Sequence, residues 1–265
     1  MTGKHGEAVR FLKNIHSEDH SVGIILGTGL GGLVKDIKIE SAIDYSDIPG
    51  FPLSTVESHS GKLIFGELSG KKIIAMQGRF HFYEGYSMEE VTFPVYVLNQ
   101  LGVRYLIVSN ACGSVNPSFR RTDLMIMTSH INLLFDNPLK NKKVNFVSGS
   151  RIYSRELIKL AEKTALENGI RIRKGTYVPV QGPNLETAAE YRMVRKAGGD
   201  TVGMSTIPEA LAASNLGMKV LGLSIITDNG FPDTLKVAML KDILEAAGIS
   251  EPELTLLIRK LVDKL

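Results

Sequence analysis

A glycine-rich turn near the start of the chain has the residue types that bind an anion. The apolar run VGIIL is followed by Gly27, Gly29 and Gly32 in the pattern G-x-G-x-x-G. The backbone N–H groups of such a turn, together with the hydroxyl of Thr28, can face a phosphate or a carboxylate. We therefore predict a phosphate-binding loop, with a tight structural turn as the alternative interpretation.

The same glycines also fit a dinucleotide-binding loop. That interpretation needs a second strand that ends in an acidic residue about 20 positions later. Asp44 and Asp47 have a suitable separation, but the segment IDYSDIPGFP around them is typical of a loop. A Walker A loop is excluded because no Lys-Ser or Lys-Thr pair follows the glycines. A nicotinamide-dependent dehydrogenase remains a competing hypothesis.

A second polar segment, QGRFHFYEGY, follows the apolar run KKIIAM. Side chains alternate between the two faces of an extended chain, so Arg79, His81 and Tyr83 should point the same way. The guanidinium of Arg79 is a two-pronged donor for an anion, and Tyr83 adds an aromatic face. Glu84 and the intervening phenylalanines should face the opposite side, the phenylalanines in the core. A half-exposed edge strand is the alternative to this anion-and-ring site.

Short apolar runs alternate with helical patterns, which is typical of an α/β protein. Several runs are almost continuously apolar, as in LIVSNA and LGLSIIT, and this indicates a sheet covered on both faces. The sequence has no internal repeat and no linker, so residues 1–265 are predicted to form one domain. The predicted strands are Val22–Leu26, Leu63–Phe65, Lys72–Met76, Tyr105–Ser109, Asp123–Thr128, Thr176–Val180, Asp200–Val202 and Lys219–Thr227.

Capping residues predict where several helices begin. Ser87 with Glu90 has the capping-box spacing, and Ser154 can cap a second helix. Ser250 with Glu253 has the same spacing before the last helix, whose apolar stripe we expect to pack in the core.

Composition limits the class of protein. The 31 Lys and Arg against 28 Asp and Glu give a formal charge of +3 with no basic block, so nucleic acid is a poor candidate partner. No apolar stretch reaches the roughly 20 residues that span a membrane. The amino terminus is polar and lacks a signal-peptide pattern. We therefore expect a cytoplasmic protein that binds neither nucleic acid nor a membrane.

The histidines and the single cysteine show no pattern of a metal or nucleophile site. No cluster of His, Asp or Glu has metal-ligand spacing, and we predict no metal. His5, His16 and His20 lie in a polar leader and are expected on the surface, and His130 is expected to be structural. Cys112 cannot form an internal disulfide and is expected to be a small buried residue.

These motifs together resemble the trimeric branch of the purine nucleoside phosphorylase family. The resemblance covers nearly the whole chain and is carried by GTGLGG, IPGFPLSTVESHSG, QGRFHFYEGY, VTFPV, NACGSVNP, HINL, QGPNLET, VGMSTIPEA and SIITD. It implies a single-domain phosphorylase-type α/β fold, with a central mixed, largely parallel twisted sheet flanked by helices on both faces.

Enzymes of this family use inorganic phosphate to cleave the bond between a purine and ribose or deoxyribose. The resemblance implies inosine or guanosine as substrate, with an extension to adenosine, and no cofactor beyond phosphate as co-substrate. The implied catalytic residues are His81, Glu186 and Asp228. The implied phosphate contacts are Thr28, His59, Arg79, His81, the backbone N–H of Ala111, and Ser205.

The remaining implied contacts surround the nucleoside. The ribose site would contain Tyr83, Met204 and Leu240. The base site would contain Leu185, Glu186, Thr227 and Asp228. Phe146 is the counterpart of an aromatic residue that a neighbouring subunit lends to the ribose pocket, so the resemblance also implies a homotrimer.

Three positions depart from the family pattern. Asp228 stands where the family has asparagine; a charged aspartate only accepts hydrogen bonds, which suits a 6-amino group, whereas a protonated one can donate. Leu240 falls where a histidine reaches the 5′-hydroxyl, and it suits a 5′-methylthio group, although Lys241 takes this position if the alignment shifts by one. Leu185 replaces an aromatic residue that packs on the base.

Two alternatives follow from these departures. The first is a 5′-methylthioadenosine phosphorylase, because such enzymes combine an apolar 5′ pocket with an aspartate at the base. The second belongs to another class: a nucleoside-binding protein that has lost catalysis, because Leu185 and Leu240 replace residues that touch substrate.

Overall fold

The computed structural model describes residues 3–27, 31–53, 60–140, 142, 152–233, 235 and 239–265. The strands in these residues are β1 (Val22–Leu26), β2 (Lys38–Asp44), β3 (Lys62–Leu68), β4 (Lys71–Gln77), β5 (Tyr105–Ser114), β6 (Leu124–His130), β7 (Ile172–Pro179), β8 (Thr201–Gly203) and β9 (Lys219–Asn229). The helices are α1 (Lys4–Ile15), α2 (Met88–Gln100), α3 (Arg155–Glu167), α4 (Ala188–Lys196), α5 (Ile207–Asn215) and α6 (Leu240–Asp263).

These strands form one mixed sheet in the order β2-β3-β4-β1-β5-β8-β7-β6-β9. β1 lies parallel to both of its neighbours, β4 and β5. β9 pairs with β6 and also, in parallel, with β5, so the last five strands close into a ring. The closure places Gly113 of β5 opposite both Val202 of β8 and Asp228 of β9.

Helices cover both faces of the sheet, as the apolar strands predict. All five residues of β1 are buried, and they alternate between two apolar cores: Ile25 contributes to one, and Val22, Ile24 and Leu26 to the other. Helices α1, α2 and α5 pack on the first core, and α3 and α6 on the second. None of the helices described here is long and apolar enough to cross a membrane.

The structure confirms the predicted strands and extends most of them, although Asp123, Val180 and Asp200 lie just outside β6, β7 and β8. It also adds two elements. α1 occupies the segment interpreted as a polar leader, and β2 occupies an edge of the sheet. His20 is therefore buried rather than on the surface, at 1% exposure. The structure confirms the capping box at Ser87 and the helix cap at Ser154.

The predicted start of the last helix is wrong. α6 begins at Leu240 and continues through Ser250 and Pro252. The Ser250 hydroxyl donates to the backbone carbonyl of Thr122 at 2.7 Å, a tertiary partner that the local sequence pattern does not show. The apolar stripe after it packs in the core as predicted, with Leu254 and Leu257 buried.

The strand order argues against a dinucleotide-binding fold. That fold places its second strand beside the first and parallel to it. Here β2 does end in Asp44, but it is an edge strand that pairs antiparallel with β3 and lies three strands from β1. The acidic residue is thus remote from the glycine turn in the sheet.

Candidate active site

A cavity of about 230 Å³ opens where the ends of β5, β8 and β9 meet the segments that follow β4 and β7. It collects every predicted site residue that the structure describes. These residues are Arg79, His81, Tyr83, Ala111, Leu185, Glu186, Met204, Ser205, Thr227, Asp228 and Leu240. Three further predicted residues, Thr28, His59 and Phe146, lie outside the described residues.

One end of the cavity is built around Arg79, whose side chain is 2% exposed. Its Nη1 donates to the Ser109 carbonyl at 2.6 Å and to Ser205 Oγ at 3.2 Å. Its Nε donates to Glu209 Oε1 at 3.0 Å. These hydrogen bonds hold a buried guanidinium at the cavity wall. A guanidinium is the side-chain group that binds phosphate in a bidentate manner.

Gly27 belongs to the same corner because its backbone passes very close to β5. A Cβ at this position would lie 2.7 Å from the Ser109 carbonyl oxygen and 3.3 Å from Arg79 Nη1. Only glycine fits that approach, so the first glycine of the turn is required by packing next to the guanidinium. The rest of the predicted anion contact, at Thr28, is outside the described residues.

His81 lines the cavity beside this corner, and its ring is held by Glu84. Glu84 Oε1 lies 2.9 Å from His81 Nδ1 and accepts from the His81 backbone N–H at 2.7 Å. The prediction that Glu84 faces away from His81 is therefore wrong. The chain leaves its extended path in a 3-10 turn over Phe82–Glu84, which brings the carboxylate back onto the ring. Tyr83 stacks on His81, with ring centroids 4.7 Å apart.

The cavity wall also carries two carboxyl groups, those of Glu186 and Asp228. Burial raises the pKa of Glu186, and the charge of Asp228 raises this pKa further. A hydrogen bond with Tyr191 acts in the opposite direction and lowers it. Burial also raises the pKa of Asp228, while its bond with Thr227 Oγ1, at 3.0 Å, and the charge of Arg121 act in the other direction. Each carboxyl therefore keeps its neutral form to a higher pH than an exposed acid does.

Thr227 and Gly113 fix the position of Asp228. The Thr227 hydroxyl also donates to the Cys112 carbonyl at 3.2 Å, so it links β9 to β5. A Cβ at Gly113 would lie 2.8 Å from Asp228 Oδ2, and glycine is therefore needed where the carboxylate crosses β5.

Apolar side chains, including those of Met204, Leu240 and Ile243, make up another part of the wall. A Cβ at Gly182 would lie 2.4 Å from the sulfur of Met204 and 3.2 Å from the Tyr83 ring, so these two side chains adjoin each other. Leu240 and Ile243, from the first turn of α6, line the cavity, whereas Lys241 does not. Leu240 thus occupies the position that the sequence left open between the two residues.

Sequence reasoning missed three residues of the site. Asn110 lines the cavity, donates to Thr206 Oγ1 at 2.9 Å, and has a buried Oδ1 without a hydrogen-bond partner among the described residues. Ile243 adds to the apolar wall, and Glu209 holds Arg79 from behind. Asn110 lies in NACGSVNP and Glu209 in VGMSTIPEA, two segments that carried the family resemblance, so both had a usable signal.

Two residues outside these roles behave as predicted. Burial raises the pKa of the Cys112 thiol to about 12, so it stays protonated and is not an activated nucleophile. His130 is absent from the cavity wall, and its Nδ1 lies 3.1 Å from the Tyr153 hydroxyl.

The site combines an arginine corner, an apolar middle and a pair of carboxyls, on a mixed α/β fold closed at one end. These features define a pocket for a molecule with an apolar ring system and hydrogen-bond donors, next to an anion. Residues 21–263 match the family model described as the phosphorylase superfamily.

Individual relatives agree with this match. The chain is 51% identical over 233 residues to purine nucleoside phosphorylase 1 of Bacillus subtilis, covering 86% of each chain. Crystal structures of Schistosoma mansoni purine nucleoside phosphorylase superpose with TM-scores of 0.93 for the complex with inosine and 0.92 for the complex with adenosine. These alignments have 36% and 37% identity, and cover 99% and 98% of this chain and 96% of the other. The chain belongs to the phosphorylase superfamily and, within it, to the purine nucleoside phosphorylase family.

Proposed function

We propose that this protein cleaves the N-glycosidic bond of purine nucleosides with inorganic phosphate, and releases the free base and ribose 1-phosphate or its deoxy form. The observation that carries the proposal is that one cavity is lined both by Arg79 with Ser205 and by Glu186 with Asp228. In the proposed complex, phosphate binds at Arg79, the base binds at the two carboxyls, and the sugar lies between them. Phosphate is the co-substrate of this family, and we propose that no other cofactor takes part.

The arginine corner binds the nucleophile. Arg79 and Ser205 donate to phosphate oxygens, with His81 and the backbone N–H of Ala111 completing the contacts beside them. Thr28 and His59 join this set by the family resemblance. A phosphate oxygen attacks the anomeric carbon while the bond to the purine nitrogen breaks, through a cation-like sugar as in glycoside hydrolysis. Fixed donors keep the anion below the sugar, and this positioning lowers the barrier.

The carboxyl end stabilises the departing base. The electron pair of the broken bond passes to the purine, whose imidazole nitrogen then takes a proton. Glu186 accepts from the N–H of the pyrimidine edge, and Thr227 with Asp228 faces the imidazole side. Leu185 lies over the base and Met204, Tyr83 and Leu240 surround the sugar.

The protonation of Asp228 sets the choice of base. A protonated carboxyl donates to a 6-oxo group, and a charged one accepts from a 6-amino group. Because burial raises the pKa of this carboxyl, its neutral form persists to a higher pH than that of an exposed aspartate. We therefore propose inosine and guanosine as the main substrates, with adenosine as an additional one.

One observation favours a second candidate function, a 5′-methylthioadenosine phosphorylase. Leu240 and Ile243 make the cavity wall apolar at the start of α6. A methylthio group gains about 0.8 kcal/mol per buried carbon against such a wall, whereas a 5′-hydroxyl loses its hydrogen bond there.

We propose a homotrimer in which Phe146 completes the ribose pocket of a neighbouring subunit. Exposed apolar side chains next to the cavity support an interface: Phe135 is 84% exposed and Met193 is 50% exposed. Both line a second depression that also contains Glu186. One domain over residues 1–265 and a cytoplasmic location stay predictions from the sequence.

The test is turnover of inosine, guanosine, adenosine and 5′-methylthioadenosine by one preparation, with and without phosphate. Phosphate-dependent release of base supports the proposal, and the order of the four substrates separates its two forms. Arg79→Ala should raise the phosphate requirement steeply, while Lys241→Ala, outside the cavity, should not. Nucleoside binding without any phosphate-dependent product would favour the catalytically impaired protein instead.

A further inference from the structure

Two histidines and a glutamate come together far from the cavity. His16 follows the end of α1, His20 precedes β1, and Glu40 lies on β2. One ring nitrogen of each histidine and one carboxylate oxygen of Glu40 all lie within 4.8 Å of one another. None of these residues lines the cavity described above. The three groups are ligands that Zn²⁺ and neighbouring transition metals prefer.

The hydrogen bond of His20 leaves this residue of the cluster with one buried lone pair. His20 Nδ1 lies 2.9 Å from the Glu18 carbonyl oxygen, and since a carbonyl only accepts, Nδ1 carries the proton. The Nε2 of this neutral ring therefore has a lone pair. The residue is 1% exposed, and Nε2 is buried without a hydrogen-bond partner among the described residues. A buried acceptor without a donor is costly unless something binds it.

His16 turns its Nδ1 toward Glu40. Its Nε2 lies 2.6 Å from Ser41 Oγ, and its Nδ1 lies 3.9 Å from Glu40 Oε2. The second distance is too long for a hydrogen bond. With the proton on Nε2 toward Ser41, Nδ1 and the Glu40 oxygen are two acceptors that face each other. A cation between them satisfies both.

Neighbouring groups fix the rings as they do in metal sites, where the second histidine nitrogen is bonded to an outer partner. Ser41 and the Glu18 carbonyl supply these partners. The ring of Phe65 stacks on His16, with centroids 4.6 Å apart, and meets the His20 ring edge-on at 5.2 Å. The imidazoles are thus oriented before any ligand binds.

Lys72 is the one cation already near this cluster among the described residues. Its ammonium bonds Glu40 Oε1 and lies 3.3 Å from Glu18 Oε2. It therefore engages the other oxygen of Glu40 and leaves Oε2 turned toward His16. The two glutamates exceed the lysine by one negative charge, so the cluster attracts a further cation.

We propose that His16, His20 and Glu40 form a Zn²⁺ site, with water as the fourth ligand. A tetrahedral site with bonds of about 2.0–2.2 Å has ligand atoms about 3.3 Å apart, so the three atoms close by at most about 1.5 Å on binding. Changes in side-chain torsion angles cover such a distance. His16 and His20 have the H-x3-H spacing of zinc ligands, but Glu40 comes from a strand that only tertiary pairing brings to the histidines. The ion ties α1 and the segment before β1 to the edge of the sheet.

The experiment measures Co²⁺ and Zn²⁺ binding by the full chain after treatment with a chelator. Co²⁺ should give the intense visible absorption of a four-coordinate site at one ion per chain, and Zn²⁺ should displace it and raise Tm. His16→Gln and Glu40→Gln should each weaken binding at least tenfold. Glu18→Gln is the matched control, because it removes a carboxylate from Lys72 but no ligand, and it should keep the affinity within about threefold of the parent.

Absence of the Co²⁺ absorption and of any Zn²⁺-induced rise in Tm would overturn the proposal. So would equal loss of affinity in Glu18→Gln and Glu40→Gln, since that result reports only the charge around Lys72. His20→Gln gives a further check if that variant folds. If it does not fold, His16→Gln and Glu40→Gln decide the outcome.

Discussion

The choice of purine base should depend on the protonation of Asp228, and Asp228→Asn tests this. The amide of the variant donates to a 6-oxo group at every pH and carries no charge to attract a 6-amino group. A hydrogen bond in a buried site, lost or left unsatisfied, costs about 1–3 kcal/mol. The ratio of kcat/KM for inosine over adenosine should therefore rise about 5- to 150-fold at neutral pH, at roughly 1.4 kcal/mol per tenfold.

The pH dependence gives the sharper form of this prediction. Burial raises the pKa of Asp228 above its ordinary value of 3.8, so the neutral carboxyl persists to higher pH than in an exposed aspartate. Below the raised pKa the carboxyl donates to the 6-oxo group; above it the carboxylate accepts from the 6-amino group. In the parent protein the inosine-to-adenosine ratio should consequently fall as pH rises through this pKa.

The assay is phosphate-dependent release of hypoxanthine and adenine across a pH series, with saturating phosphate. Asp228→Asn should give a flat ratio. Asp233→Asn is the control, because it removes an exposed carboxylate nearby that does not line the cavity, and its ratio should follow the parent. A variant at Asp228 that keeps the parent's pH-dependent ratio would refute the role of this residue in reading the base.

Three further substitutions test the other parts of the site. Glu209→Gln keeps the hydrogen bond to Arg79 but removes the buried charge that partners it, so the free energy of unfolding should fall by about 1–3 kcal/mol. The KM for phosphate should rise, while the KM for nucleoside should stay within twofold. Equal changes in both KM values would contradict the positioning role. Leu240→His should raise kcat/KM for inosine relative to 5′-methylthioadenosine about tenfold, measured in direct competition, and no change would place the 5′ group elsewhere. Gly113→Ala puts a methyl group 2.8 Å from Asp228 Oδ2. The affinity for the base, measured by calorimetry, should therefore drop more than tenfold while Tm changes by only a few degrees. An unchanged affinity would show that the carboxylate is not fixed there.

Much of the site could be predicted from the sequence because its residues lie in short, uncommon segments. Arg79 and His81 follow an apolar run, and Glu186 and Asp228 lie in segments that carried the family resemblance; all four line the cavity. The apolar runs likewise predicted the buried strands, since β1 must be apolar on both faces when helices cover the sheet on both sides.

The tertiary structure alone decided features that depend on distant partners. The 3-10 turn that returns Glu84 to His81 replaces the alternation expected of an extended chain, because the carboxylate bonds both the ring and the backbone N–H. Ser250 has the spacing of a helix cap, yet it lies inside α6, where its hydroxyl bonds the Thr122 carbonyl.

Closure of the strand ring is the largest of these features. It sets Gly113 against Asp228, and no periodicity along the chain specifies a pairing between residues so far apart in sequence. The same holds for His16, His20 and Glu40, whose approach requires α1 and the edge strand to pack together. Local patterns record which residues are buried or polar, whereas the convergence of polar groups follows from the order in which strands pair, and that order is set by packing of the whole sheet.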